Sequence, residues 1–246
     1  MKKTALLLLP VIILVSCAAT FAGDTNELWI VLLDLSGSMG AGKDTPYQKN
    51  MEKLYRIINS AGKGTTIIVT GFGRRADARL LKVEIPKIAG PRQVNLVATR
   101  AAAIKKLNEN IAAKADTIDR SRTDIHGALL RSARLFMEAD GRSQAKKRLF
   151  ILSDMIENEN FNLNLRRLAA NGPDGVMRDM TNKKLKYPDM KGIEIYCYSA
   201  FSDNSSDMRG MKTSEIEMGI QNLRAFWTAY FKKTGGVLKS YKTGMY

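Results

Sequence analysis

The residues whose types and spacing could do chemistry lie in the stretch DLSGSMGAGKDT, residues 34–45, which directly follows an apolar run. Counted from Gly37, it contains G-x-x-x-x-G-K with Asp44 where a nucleotide-binding phosphate loop needs Ser or Thr on Mg²⁺. A carboxylate there would face a polyphosphate and repel it. Counted from Asp34, the same stretch sets a carboxylate and the hydroxyls of Ser36 and Ser38 at alternate positions. That is a set of hard oxygen donors suited to a divalent cation such as Mg²⁺. The nucleotide reading has a second partial match in RLFILSD, an apolar strand ending in Asp154, the placement of the Mg²⁺-holding acid in nucleotide hydrolases.

A cation reading demands further oxygen ligands from neighbouring loops, and two are present. Thr123 stands in RTDIHGALL at the entry to a helix, and Asp154 closes the strand FILSD. Asp34-x-Ser36-x-Ser38, the Thr of TDIHGAL and the Asp after an apolar strand together resemble the metal-ion-dependent adhesion site of von Willebrand factor type A domains, with all five positions in order. PDMKGIEIYCYSA and LRAFWTAYFKKTGG are similar to that family's last strand and helix. The resemblance implies that Ser36, Ser38 and Thr123 hold Mg²⁺ or Mn²⁺ through hydroxyls, with Asp34 and Asp154 acting directly or through water. It further implies that a partner protein or other acidic ligand supplies a carboxylate to the open position, and that the chain is a binding module and not an enzyme. A Mg²⁺-dependent nucleotide hydrolase and an envelope component with a purely stabilising metal are the alternatives.

The elements that must position these groups read as a Rossmann-like α/β fold. Strand-like runs such as ELWIVLLDLS alternate with helical patterns, which predicts a doubly wound, mostly parallel sheet with helices on both faces. TTIIVTGFG and ARLLKVEIP, joined by a short basic loop, predict one antiparallel edge strand. Thr45-Pro46 predicts a helix N-cap and first residue. A helix over roughly 94–118 is expected to pack through Val97, Ile104, Ile111 and Ile118, seven apart. A short helix, 163–170, is expected to lead into a turn-rich connection, NGPDGVMRDMTNKKLKYPDMKG, followed by a strand, a helix over 214–233 and the short strand VLKSYK.

Residues 1–16 carry Lys2 and Lys3, then an apolar run from Ala5 to Val15, the pattern of an export signal. Leu14-Val15-Ser16-Cys17 resembles a bacterial lipobox, which predicts lipid attachment at Cys17 and a membrane anchor, with cleavage after Ala22 as the alternative. Residues 17–26 then form a linker and 27–246 a single domain, exported and facing the periplasm or cell surface, with Ala18 favouring the outer membrane. The 39 Lys and Arg against 24 Asp and Glu give a net charge of +15. Such a surface suits anionic lipid, acidic polymers or acidic proteins. Nucleic acid is not expected, because the cations are dispersed and no aromatic residues are interleaved with them.

Other candidates have plainer readings. With one His and no Cys beside it, His126 makes neither a zinc site nor a catalytic triad and is read as a first-turn residue near the site. Asp124 and Glu157 are expected to be solvated loop carboxylates that set the local charge. Phe226, Trp227, Tyr230 and Phe231 are expected in the core, Cys197 as a buried inert thiol, and Lys146-Lys147-Arg148 as a solvated run.

Overall fold

The computed structural model describes residues 26–40, 45–74, 78–87, 95–114, 117–140, 145–201 and 208–245. The expected signal segment, the linker up to Thr25, the lipid attachment at Cys17 and residues 41–44 of the opening loop lie outside the described residues. Six strands form one sheet: β1 (Glu27–Asp34), β2 (Thr65–Phe72), β3 (Ala78–Glu84), β4 (Lys146–Ser153), β5 (Ile193–Phe201) and β6 (Val237–Met245). Their order is β3-β2-β1-β4-β5-β6, with β3 antiparallel to β2 and every other pair parallel. The chain is therefore a doubly wound α/β domain with one antiparallel edge strand, as its sequence predicts.

Helices α1 (Pro46–Ser60) and α2 (Leu96–Lys114) cover one face, and α3 (Ile125–Asp140), α4 (Leu165–Asn182) and α5 (Thr213–Thr234) the other. Because successive strand side chains point to opposite faces, β1 feeds both layers. Ile30 and Leu32 join the core under α3 and α5, while Val31 and Leu33 join the core under α1. This explains why β1 is a continuous apolar run and not an alternating one. Helix α1 begins where the sequence requires: the Thr45 hydroxyl accepts from the Gln48 amide at 3.3 Å and Pro46 occupies the first turn.

Three expectations fail, the first only in part, for physical reasons. Of the four residues spaced seven apart, Ile111 is buried and Ile104 and Ile118 are partly buried against the same core, but Val97 is 75% exposed and the helix packs also through Ala103 and Leu107. A straight helix drifts about 20° per seven residues, so a seven-residue stripe leaves a flat packing face unless the helices supercoil. Ile118 also lies beyond the helix end at Lys114. The turn-rich segment after Ala170 is mostly helix: Gly172, at φ 64°, kinks α4 and Pro173 restarts it, and Val176, Met177 and Met180 bury the second half. Arg148 is not solvated with its lysine neighbours. The register sets it between Trp29 and Glu194, where it pairs with Glu27 at 3.0 Å and Glu194 at 3.2 Å, and its guanidinium lies 5.4 Å from the Trp29 ring centre.

Helices α4 and α5 cross closely at Gly219. A methyl group there would sit 2.8 Å from the Leu165 carbonyl oxygen and 3.1 Å from the Leu165 Cβ. Gly219→Ala is expected to lower stability by about 1–3 kcal/mol through this backbone clash, measured as a shift in urea midpoint at unchanged slope.

Candidate metal centre

All five candidate ligands stand at the C-terminal edge of the sheet, where the loops of a doubly wound fold converge. Asp34 ends β1 and Asp154 directly follows β4, the strand beside it. The Asp34 carboxylate is fully buried and fixed at both oxygens. Its Oδ1 accepts from the Ser36 amide at 2.8 Å and its Oδ2 from the Ser153 hydroxyl at 2.6 Å. Ser153 was not singled out by sequence, although its position just before Asp154 was the available signal. Its hydroxyl also accepts from the Met155 amide at 2.9 Å, and Asp154 Oδ1 accepts from the Ile156 amide at 3.0 Å. The two strand ends are thereby locked to each other.

The remaining loop is tied in by two further bonds. The Gly37 amide donates to the Arg120 carbonyl at 2.8 Å, which joins the Ser36–Ser38 turn to the segment carrying Thr123. The Thr123 amide donates to Asn158 Oδ1 at 2.7 Å, and the Asn158 amide returns a bond to the Thr123 carbonyl at 3.2 Å, which joins that segment to the loop after β4. Nothing in the run of ENEN distinguished Asn158 beforehand, because only the folded loop brings it to Thr123.

The donor set suits a small hard cation. Ser36 Oγ and Ser38 Oγ are 3.0 Å apart, and an octahedron with oxygens at about 2.0–2.1 Å has edges of about 2.8–3.0 Å. Thr123 is buried, yet its hydroxyl makes no hydrogen bond among the described residues. No cationic side chain forms an ion pair with the buried Asp34 among those residues either, and burial pushes its pKa up despite the bonds from Ser153 and Ser36. A bound cation would offset that desolvation. Among the described residues no cluster of three or more His, Cys, Asp or Glu is placed to hold a metal, and the candidate donors here are three hydroxyls and two carboxylates.

Asp124 and Glu157 are not solvated, contrary to expectation. Asp124 caps α3, accepting from the Gly127 amide at 2.6 Å and from Asn160 Nδ2 at 2.7 Å, with Arg131 at 3.4 Å. Glu157 is fully buried and accepts from the backbone amides of His126, Glu159 and Asn160, each at 2.9 Å. Burial raises its pKa to about 7, against the opposing pull of those amides. The two acids work as internal caps because the loop after β4 folds over the start of α3 and leaves its first amides to be satisfied from within.

His126 lies under this cap, with Nδ1 2.7 Å from the Tyr230 hydroxyl on α5. Burial lowers its pKa, Asp124 pulling the other way, while burial drives the Tyr230 phenol far up. A base with a depressed pKa contributes stability above its unfolded value of 6.5, lost as pH falls through the folded value. As the sole histidine it gives one imidazole signal, expected to titrate below pH 6.5 in a proton NMR series.

No protein-family model and no curated protein matches the chain. Solved structures resemble it at low identity. A von Willebrand factor type A protein from Catenulispora acidiphila aligns with a TM-score of 0.44 and 12% identity over 86% of this chain, which spans 42% of that one. The conserved hypothetical protein BatB from Bacteroides thetaiotaomicron aligns at 0.44 and 12%, over 89% of this chain and 91% of its own. An aerotolerance-related membrane protein from Bacteroides fragilis gives 0.44 and 12% over 89% and 92%. The fold of this chain rests on its own strand order and registers, described above.

Proposed function

We propose that the chain is a von Willebrand factor type A binding module that engages an acidic group of a partner through a divalent cation. The observation that carries this reading is the convergence of Asp34, Ser36, Ser38, Thr123 and Asp154 on one sheet edge, cross-tied by Ser153, Arg120 and Asn158. In this reading Ser36, Ser38 and Thr123 ligate Mg²⁺ or Mn²⁺ through hydroxyls, and Asp34 and Asp154 act directly or hold its waters. A bound ion with largely neutral ligands keeps residual positive charge, so it draws a carboxylate into its open position. The chain's own residues then do two things: they fix the ligand oxygens through buried hydrogen bonds, and they exclude competing water around Asp34.

In this reading the chain is a binding module and not an enzyme. The nucleotide alternative gains nothing from α1, which begins at Pro46, three residues beyond Lys43. We further place the module outside the cytoplasm, anchored by lipid at Cys17, on the strength of residues 1–17. The test is a pull-down from envelope extract with the full chain in Mg²⁺, in EDTA and as Asp34→Ala. One partner lost in the last two conditions is the expected result. Partner capture indifferent to both, or saturable ATP binding that survives Asp34→Ala, overturns the reading.

A further inference from the structure

A groove of about 440 Å³ runs between α1 and α2, lined by Tyr47, Met51, Tyr55, Asn108, Ile111 and Ala112, with Gln48 and the exposed Glu52 on its rim. Met51 and Ile111 form a buried apolar floor, and the two tyrosine rings are half-buried beside them. One end is closed where the Tyr55 hydroxyl donates to Asn108 Oδ1 at 2.7 Å. The other end opens at Tyr47, near the start of α1 and so at the edge of the sheet that carries the candidate metal ligands. Tyr47 lies within electrostatic reach of both Tyr55 and Arg120. The Arg120 carbonyl is the acceptor for Gly37 of the metal turn, and its exposed side chain has no ion-pair partner among the described residues. Arg120 thus stands between the metal turn, which its carbonyl binds, and Tyr47 at the open end of the slot.

We infer that this slot receives an apolar side chain of the same partner segment that presents the carboxylate. The inference rests on the proposed metal reading and names the partner's motif: an extended protein segment with Asp or Glu and, a few residues away, a bulky aliphatic or aromatic residue. Charge favours this occupant, since Arg120, bonded through its backbone to the metal turn and within electrostatic reach of Tyr47 at the open end of the slot, is a cation suited to an acidic segment. Length is compatible: Thr45 lies beside Gly40 of the metal turn, and the six residues from Thr45 to Met51 span about 9 Å of helix. An extended chain covers that distance in about three residues.

The test uses a random peptide library panned on the immobilised full-length protein in Mg²⁺, followed by affinity measurement of enriched peptides on three forms. These are the wild type, Ala112→Arg and Asp34→Ala. Ala112 is exposed on the groove rim, so the arginine blocks the slot without entering the core, and an unchanged melting temperature verifies this. The expected result is enrichment of acidic peptides carrying an apolar residue two to four positions away, released by EDTA and at least tenfold weaker on Ala112→Arg. EDTA-sensitive acidic peptides that bind Ala112→Arg as well as wild type overturn the groove and leave the metal reading standing. Peptides indifferent to EDTA and to Asp34→Ala, or no enrichment, overturn the metal reading and the groove with it. A Mg²⁺-independent dimer, seen by sedimentation and lost in Ala112→Arg, assigns the groove to a second copy and overturns the inference.

Discussion

Trp227→Ala is expected to unfold at a far lower urea concentration than the wild type, with a loss of about 3–5 kcal/mol, the range for truncating a large buried aromatic. Trp227 is fully buried on α5, packed against Phe226, Tyr230 and Phe231 with ring centres 5.1–5.6 Å apart. Its indole N–H donates to the Met155 carbonyl at 2.9 Å. Met155 is one of two non-glycine residues with positive φ among those described, at 65°, and it directly follows Asp154. The backbone there is held in an unfavourable region by the Trp227 bond on its carbonyl and the Ser153 bond on its amide. Trp227→Phe separates the two roles. It keeps most of the packing, costs about 1–3 kcal/mol for the stranded carbonyl, and is expected to weaken Mg²⁺ binding by about tenfold as the support of Asp154 loosens. Equal Mg²⁺ affinity in Trp227→Phe and wild type, by calorimetric titration, would confine Trp227 to the core.

Asp34→Asn is expected to separate stability from metal binding in the opposite sense. Its amide can keep both partners, accepting from the Ser36 amide and donating to Ser153, whose hydroxyl is free to turn. Loss of the negative charge should weaken Mg²⁺ binding by about 10–100-fold, the range for removing a group that orients or directly supports a metal. Without metal the sign reverses. An acid whose pKa is raised by burial contributes stability below its unfolded value of 3.8 and loses it as pH rises through its folded value. At pH 7 in EDTA the variant should therefore melt no lower than the wild type, and with saturating Mg²⁺ it should melt lower. A variant that melts lower in both conditions would give Asp34 a structural role alone, and undiminished Mg²⁺ binding would remove it from the site.

The sequence read most faithfully where one interaction dominates. Continuous apolar runs become β1 and β4 because both faces of these strands are buried, and Thr45-Pro46 starts α1 because capping is local. Phe226, Trp227, Tyr230 and Phe231 are buried, as their helical spacing predicts, and burial pushes the Cys197 thiol up out of reach of reaction. Misreadings cluster where a local preference meets a distant partner. Gly172-Pro173 reads as a turn, but buried Val176, Met177 and Met180 carry the helix past it.

By itself the sequence determined the strand and helix order, the antiparallel edge and the five oxygen-bearing candidates, since these follow from periodicity, caps and residue type. Only the tertiary structure decided that Asp124 and Glu157 are buried caps, that Ser153 and Asn158 cross-tie three loops, and that an apolar slot lies beside Arg120. Those facts depend on contacts between residues 31 to 119 positions apart, such as His126 with Glu157 and Asp34 with Ser153. No local pattern encodes such pairs; parallel strand registers and helix packing bring them together.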